Sequence, residues 1–126
     1  MKEKKIKAIE NYIQAYNAFD INGMIKDFHQ EIIFENITDG KVDLTTMGLA
    51  EFSDQAEKAK QYFTERKQTI DSWNFEENIV TIDISYEGIL AIDLPNGAMT
   101  GDTLALKGQS EFIFQGDKII SIKDRS

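Results

Sequence analysis

Tyr12 and Tyr16 lie four residues apart within a stretch, Lys4 to Phe19, where apolar residues recur at steps of three and four. That spacing predicts an amphipathic helix with both phenols on one face, from which a hydroxyl can donate a hydrogen bond to a developing negative oxygen. Near the end of the chain Ile120, Ile122 and Asp124 alternate, so on a strand a carboxylate follows two aliphatics on one face. A desolvated aspartate has a raised pKa and suits proton transfer, which makes Asp124 the candidate acid or base; the competing expectation is a fraying strand end that leaves it wet. A third row, Leu104, Leu106, Gly108, Ser110, Phe112 and Phe114, has two small members among bulky ones. Gly108 and Ser110 therefore leave either space for a ligand or room for a close-packed helix.

Other residue types are less promising. Trp73 is the only tryptophan and is expected either to wall a cavity or to face a partner. His29, the only histidine, falls at the expected end of a short helix, where a cation is favoured by the dipole and surface duty is expected. The chain has no Cys, which removes thiolate nucleophiles, disulfides and Cys-ligated zinc, and one His excludes chemistry that needs two imidazoles. Asp39-Gly40-Lys41-Val42-Asp43 lacks the ligand pattern of a calcium loop, with Lys41 at its third position and Ala50 at its twelfth. Glycines such as Gly97 and Gly101 do not open a helix, so nothing points to a phosphate loop. No metal and no cofactor are expected.

The elements that must position these groups follow from hydrophobic period. After the first helix, Asp20-Ile21-Asn22-Gly23 offers N-caps for a short helix with Met24, Ile25 and Phe28 on its apolar face. Glu31 to Ile37 is β-branched and aromatic enough for a strand, and a turn-rich stretch around Asp39-Gly40 follows. A third helix is expected from Gly48 to Arg66, through Leu49, Phe52, Ala56, Ala59 and Phe63. Period two then predicts strands over Gln68 to Phe75, Val80 to Glu87, Leu104 to Phe114 and Lys118 to Asp124, with turns at Glu77-Asn78 and Gln115-Gly116-Asp117. One strand interleaved with three helices, then four long antiparallel strands, is an α+β plan: a cone-shaped fold with three N-terminal helices packed on a strongly curved, mostly antiparallel sheet. With 126 residues, one proline and no linker or repeat, residues 1–126 are expected to form a single domain.

These segments resemble the nuclear transport factor 2-like superfamily, with its SnoaL-like polyketide cyclase and ketosteroid isomerase relatives. The resemblance covers nearly the whole chain. It is carried by Tyr12-x-x-x-Tyr16-Asn17-Ala18-x-Asp20-x-x-Gly23, the strand from Ile32 to Asn36, Gly48 at the third helix, and Phe112-x-Phe114-x-Gly116-x-Lys118-Ile119-Ile120. It implies a cone with a cavity at its wide end, and relatives that pair through the outer sheet face. Against ketosteroid isomerase, it implies that Tyr12 stands at the oxyanion-hole tyrosine, Asn36 at the aspartate base and Ser110 at the protonated aspartate. An amide cannot abstract a carbon-bound proton, so that reaction is not expected in its usual form. Dehydratase relatives imply paired imidazoles, and epoxide hydrolase relatives an arginine flanked by aspartates; Arg66 and Arg125 match no such triad.

The expectation is therefore an apolar cavity for a small hydrophobic molecule, cyclic ones included. Asp124 and Tyr12 are its candidate catalytic residues, with Tyr16, Asn36, Trp73, Gly108 and Ser110 as ligand contacts, in an isomerase-like or lyase-like protein. The alternative is a non-catalytic binding or dimeric assembly module, paired through Ala105, Lys107, Gln109, Glu111 and Ile113. A net charge of −8 opposes nucleic acid and anionic membranes as partners. Without an apolar N-terminal core or an apolar span, a cytoplasmic location is expected.

Overall fold

The computed structural model describes residues 2–126. Helix α1 (Lys2–Asn17) buries Ala8, Ile9, Tyr12, Ile13 and Ala15, the face its spacing predicts. It ends in a Schellman arrangement, with the Asp20 N–H donating to the Ala15 carbonyl at 2.8 Å and the Phe19 N–H to the Tyr16 carbonyl at 3.1 Å. Glycine usually fills the left-handed position that closes such a turn. Here Phe19 fills it at φ 58°, a conformation that costs an L side chain roughly 1–2 kcal/mol.

Helix α2 (Ile21–Met24) is one turn, capped by the Asp20 carboxylate, which accepts from the Gly23 N–H at 3.1 Å. It does not continue through Ile25 and Phe28 as expected. Phe28 opens strand β1 (Phe28–Thr38), so His29 is a strand residue rather than a helix end. The β-branched and aromatic run recruits Phe28 to pair with Ile119 across the sheet, whereas so short a helix has little drive to propagate. Strand β2 (Lys41–Met47) returns alongside β1 after Asp39 (φ 51°) and Gly40 (φ 79°), the pair of left-handed residues that a tight hairpin requires. A turn-rich stretch is expected here, and a strand stands in its place. As an edge strand it is mostly exposed and buries Thr46 alone, so it carries no hydrophobic alternation.

Helix α3 (Gly48–Lys60) buries Phe52 and Ala56 but stops short of the expected Arg66, and Phe63 opens β3 (Phe63–Glu76). No glycine or proline marks that boundary, and the helical spacing of Phe63 is coincidental; its ring packs edge-on against Tyr86 of the next strand at 5.8 Å. Strands β4 (Ile79–Leu90), β5 (Thr103–Gln115) and β6 (Lys118–Arg125) complete one sheet of order β2-β1-β6-β5-β4-β3, in which only β1 and β6 run parallel. The architecture is the expected α+β plan of three helices on a six-stranded, mostly antiparallel sheet. Helix α3 lies over β1 and β2, and α1 over β3.

Register orders the interior. One rung crosses the sheet through Thr46, Phe34, Ile122, Phe112, Val80 and Phe75; the next on the same face runs through Leu44, Asn36, Asp124, Ser110, Ile82 and Trp73. The first is largely apolar and the second carries polar groups at its centre. Two bulges shift the predicted faces. At Ile70/Ser72 the extra residue moves Trp73 away from Thr69 and Asp71 and aligns it with Ile70 and Phe75, while an irregularity at Ile113/Phe114 puts Ile119 rather than Ile120 in the core.

The outer face of β3, β4 and β5 is polar and bonded within itself. Ser72 donates to Asp83 at 2.7 Å, Ser85 to Asp71 at 2.6 Å, Gln109 to Asp83 at 3.2 Å and Lys107 to Ser85 at 3.3 Å. Donation from Ser72 and then Gln109 holds the Asp83 carboxyl below its ordinary pKa. Among the described residues, no helix is long and apolar enough to cross a membrane.

Candidate functional site

Asp124 is the central group of the polar rung. Parallel pairing sets it beside Asn36 and antiparallel pairing beside Ser110, whose hydroxyl donates to its Oδ1 at 2.7 Å. Protein atoms surround the carboxyl, yet part of the residue stays open to two cavities, one of about 190 Å³ and one of about 160 Å³. Each alone is below the ~300–1,000 Å³ range of ligand sites; together, with Tyr16, Asn36 and Asp124 shared between them, they fall at its lower end. Desolvation pushes the Asp124 pKa up from 3.8 to about 6, against the Ser110 hydrogen bond, which favours the ionised form. The strand does not fray at Asp124, because β6 continues to Arg125 and the Ser126 N–H donates to the Ile37 carbonyl at 3.0 Å.

The larger cavity lies between the helices and the sheet. Its apolar wall comes from Met24, Phe34, Leu44, Phe52, Ala56 and Ala59, and its polar groups from Tyr12, Tyr16, Asn36, Gln55, Arg66 and Asp124. Tyr12 is 5% exposed, its ring tilted against Phe28 at 5.5 Å and edge-on to Phe112 at 5.9 Å. Burial, followed by the neighbouring charge of Asp124, raises its pKa far above the ordinary value, so it remains a hydrogen-bond donor throughout the neutral range.

Tyr16 and Asn36 border both cavities, as Asp124 does. The Tyr16 hydroxyl donates to that of Tyr86 at 3.3 Å, and Tyr86 is pushed well above its ordinary pKa, first by burial and then by Tyr16. The Asn36 amide donates to Asp43 of β2 at 2.9 Å, and Thr38 to the same carboxylate at 2.7 Å; these bonds hold the Asp43 pKa below its usual value. Gly108 borders the smaller cavity, but its missing side chain also admits backbone: a Cβ there would meet the Arg125 carbonyl oxygen at 2.8 Å.

Two expected ligand contacts stand elsewhere. Ser110 is 2% exposed and lines neither cavity; its hydroxyl is committed to Asp124, so it supports that carboxyl rather than a ligand. Trp73 also lies outside both cavities. The bulge in β3 turns it onto the core, stacked on Phe75 with ring centroids 5.8 Å apart.

Arg66, expected at the end of the third helix and outside any epoxide hydrolase-like triad, is a site residue instead. It is 5% exposed, lines the larger cavity and faces the end of α1, where its Nε donates to the Tyr16 carbonyl at 2.8 Å. Its guanidinium lies 3.8 Å from the Tyr16 ring centroid and 4.5 Å from that of Phe19. Beside it, Asn17 donates to the Gln68 carbonyl at 3.1 Å and accepts from the Gln68 N–H at 2.7 Å, which ties α1 to β3. A period-two inward row of Arg66, Gln68 and Ile70 was the available signal, masked by the helical spacing carried on through Phe63.

No protein-family model and no curated protein matches the chain. Solved structures do. A protein provisionally named a SnoaL-like polyketide cyclase, from Jannaschia sp. CCS1, superposes at TM-score 0.80 with 7% identity, over 97% of this chain and 84% of that one. An NTF2-like protein of unknown function from Burkholderia pseudomallei does so at 0.78 with 13% identity, over 96% and 88%. TerC, co-crystallised with polyporic acid, does so at 0.77 with 17% identity, over 96% and 89%. The chain has the nuclear transport factor 2-like fold, which these SnoaL-like and NTF2-like proteins share. At such identities the likeness defines architecture, and chemistry must be argued from the cavity.

Proposed function

We propose that this protein binds a small, apolar, cyclic molecule in the cavity between Tyr12 and Asp124 and moves a proton on it, as an isomerase or cyclase-type lyase would, without a cofactor. The observation that carries this is Asp124 itself: a residue bordering both cavities, its desolvated carboxyl fixed by Ser110, with a pKa of about 6. Above that pH its carboxylate accepts a proton from carbon next to a carbonyl. Tyr12, still protonated, donates a hydrogen bond to the carbonyl oxygen as negative charge grows on it. Tyr16 and Asn36 border the bound ring, and Ser110 acts through Asp124 as a positioning residue. TerC, which shares the fold, was co-crystallised with polyporic acid, a precedent that supports an organic ligand here.

Proton exchange provides the test. In D2O the α-protons of a bicyclic ketone such as 2-tetralone are expected to exchange faster with the protein present, the rate rising through about pH 6 and then levelling. Asp124→Asn removes the acceleration. Exchange no faster than in buffer, or equal acceleration by the variant, contradicts the proposed reaction.

We also propose that two copies pair through the outer face of β5, at Ala105, Lys107, Gln109, Glu111 and Ile113. With its hydrogen-bonded polar side chains, that face supports a polar, water-bearing interface rather than a greasy one. Light scattering at micromolar concentration is expected to return twice the chain mass of 14.4 kDa, and a monomer contradicts the pairing.

A further inference from the structure

Arg66 is a buried cation without an anion. Its Nε is occupied by the Tyr16 carbonyl, but its Nη2 is buried and meets no hydrogen-bond partner among the described residues. No described carboxylate lies within ion-pair distance of it, although the chain has 22 acidic residues against 14 basic ones. Leaving a guanidinium desolvated and incompletely bonded is costly, and unpartnered buried polar groups in a folded chain call for an explanation. The carbonyl end of α1 and the faces of Tyr16 and Phe19 offset part of that cost. Phe19, in the left-handed conformation that closes α1, places its ring over Arg66. The local structure thus fixes the guanidinium through Nε while leaving the Nη2 donors unused.

Arg66 lines the same cavity as Met24, Phe34, Leu44 and Phe52. The geometry points to Arg66 as an anion-recognition residue, which receives the carboxylate, or an equivalent anionic oxygen, of an apolar ring compound seated in that cavity. Arginine suits this task because its planar fork presents paired donors to a carboxylate, and an ion held in a dry cavity by such donors is bound more firmly than in water. Since the proposed reaction already requires the cavity to hold an apolar ring, this inference rests on it and adds the charge the ligand carries. The anion would sit near the α1 end of the cavity, while Asp124 stands on the sheet. Asp124 and Arg66 form no ion pair, so each remains available to a different part of one ligand.

The test compares benzoate with benzamide, its neutral isostere, by calorimetry and chemical-shift titration at pH 7.5. Wild-type protein is expected to bind both and to prefer benzoate. Arg66→Gln is expected to weaken benzoate binding roughly ten- to hundredfold, the range of a lost charge-assisted hydrogen bond, and to weaken benzamide binding far less, so that the preference for benzoate is lost. Arg66→Lys keeps the charge without the fork and is expected to fall between them, which guards against a glutamine variant that folds poorly. Equal affinity of wild type and Arg66→Gln for benzoate overturns the assignment of Arg66 and leaves the cavity as a ligand site. Binding of neither probe overturns the cavity proposal, and this inference with it.

Discussion

Asp124→Asn is expected to make the protein more stable above pH 7 while removing its capacity to take a proton. The folded-state pKa of Asp124 is about 6 against an ordinary 3.8, so between those values the folded chain binds more protons than the unfolded one. Stability from this group is therefore complete below about pH 4, falls as pH rises through 6, and is level beyond. The upward shift corresponds to about 3 kcal/mol lost to ionisation. Asparagine carries no charge and can still accept the Ser110 hydrogen bond, so at pH 8 the variant is expected to melt roughly 10 °C above wild type. Near pH 4 the two are expected to coincide. Urea unfolding followed across pH checks this, because the difference between the two proteins isolates Asp124 from Asp43, Asp83 and Asp93, whose lowered pKa values act in the opposite sense. A variant less stable than wild type at pH 8 contradicts a desolvated carboxylate at this position.

Phe112→Ala carries the second large effect. Phe112 is fully buried on the apolar rung beneath the polar one, paired with Ile122 and Val80, and its ring meets Tyr12 edge-on at 5.9 Å. Truncation leaves a hole bounded by β-sheet on one side and α1 on the other, where collapse is limited, so a loss of 3–5 kcal/mol is expected by the usual ~3–5 kcal/mol range for buried Phe→Ala changes. Phe112→Leu, which preserves most of the volume, is expected to cost well under half as much. The two variants also separate packing from site geometry. If Phe112 supports the Tyr12 ring, ligand binding falls in the alanine variant under conditions where it remains folded. Unfolding free energies within 1 kcal/mol of wild type for Phe112→Ala would show that α1 does not pack on the sheet as described.

Those elements whose local pattern agrees with their tertiary environment were legible. The stripe of Ile9, Tyr12 and Ile13 defined α1 because one face is buried along its whole length, and Val80, Ile82 and Ile84 defined β4 because it is interior, with a wet outer face. Tyr12 and Asp124 were accessible for the same reason: each continues a periodic row. Residues beyond an irregularity were not. A single extra residue in β3 reverses the side on which Trp73 stands, and local sequence hardly signals it. Strand β2 escaped notice because an exposed edge need not alternate, and Arg66 because a helical period ran on through Phe63 into a strand. Ser110 was recognised as an inward residue, but whether it faces ligand or Asp124 depends on strand pairing that no single segment encodes.

The most direct measurement is a carbon-13 NMR titration of the aspartate side-chain carboxyls between pH 3 and pH 8, with the Asp124 resonance assigned by its absence from Asp124→Asn. One resonance is expected to move with a midpoint near pH 6 and to vanish in the variant. If the Asp124 resonance instead moves near the ordinary 3.8, its carboxyl is solvated and cannot be the proton acceptor of a dry cavity.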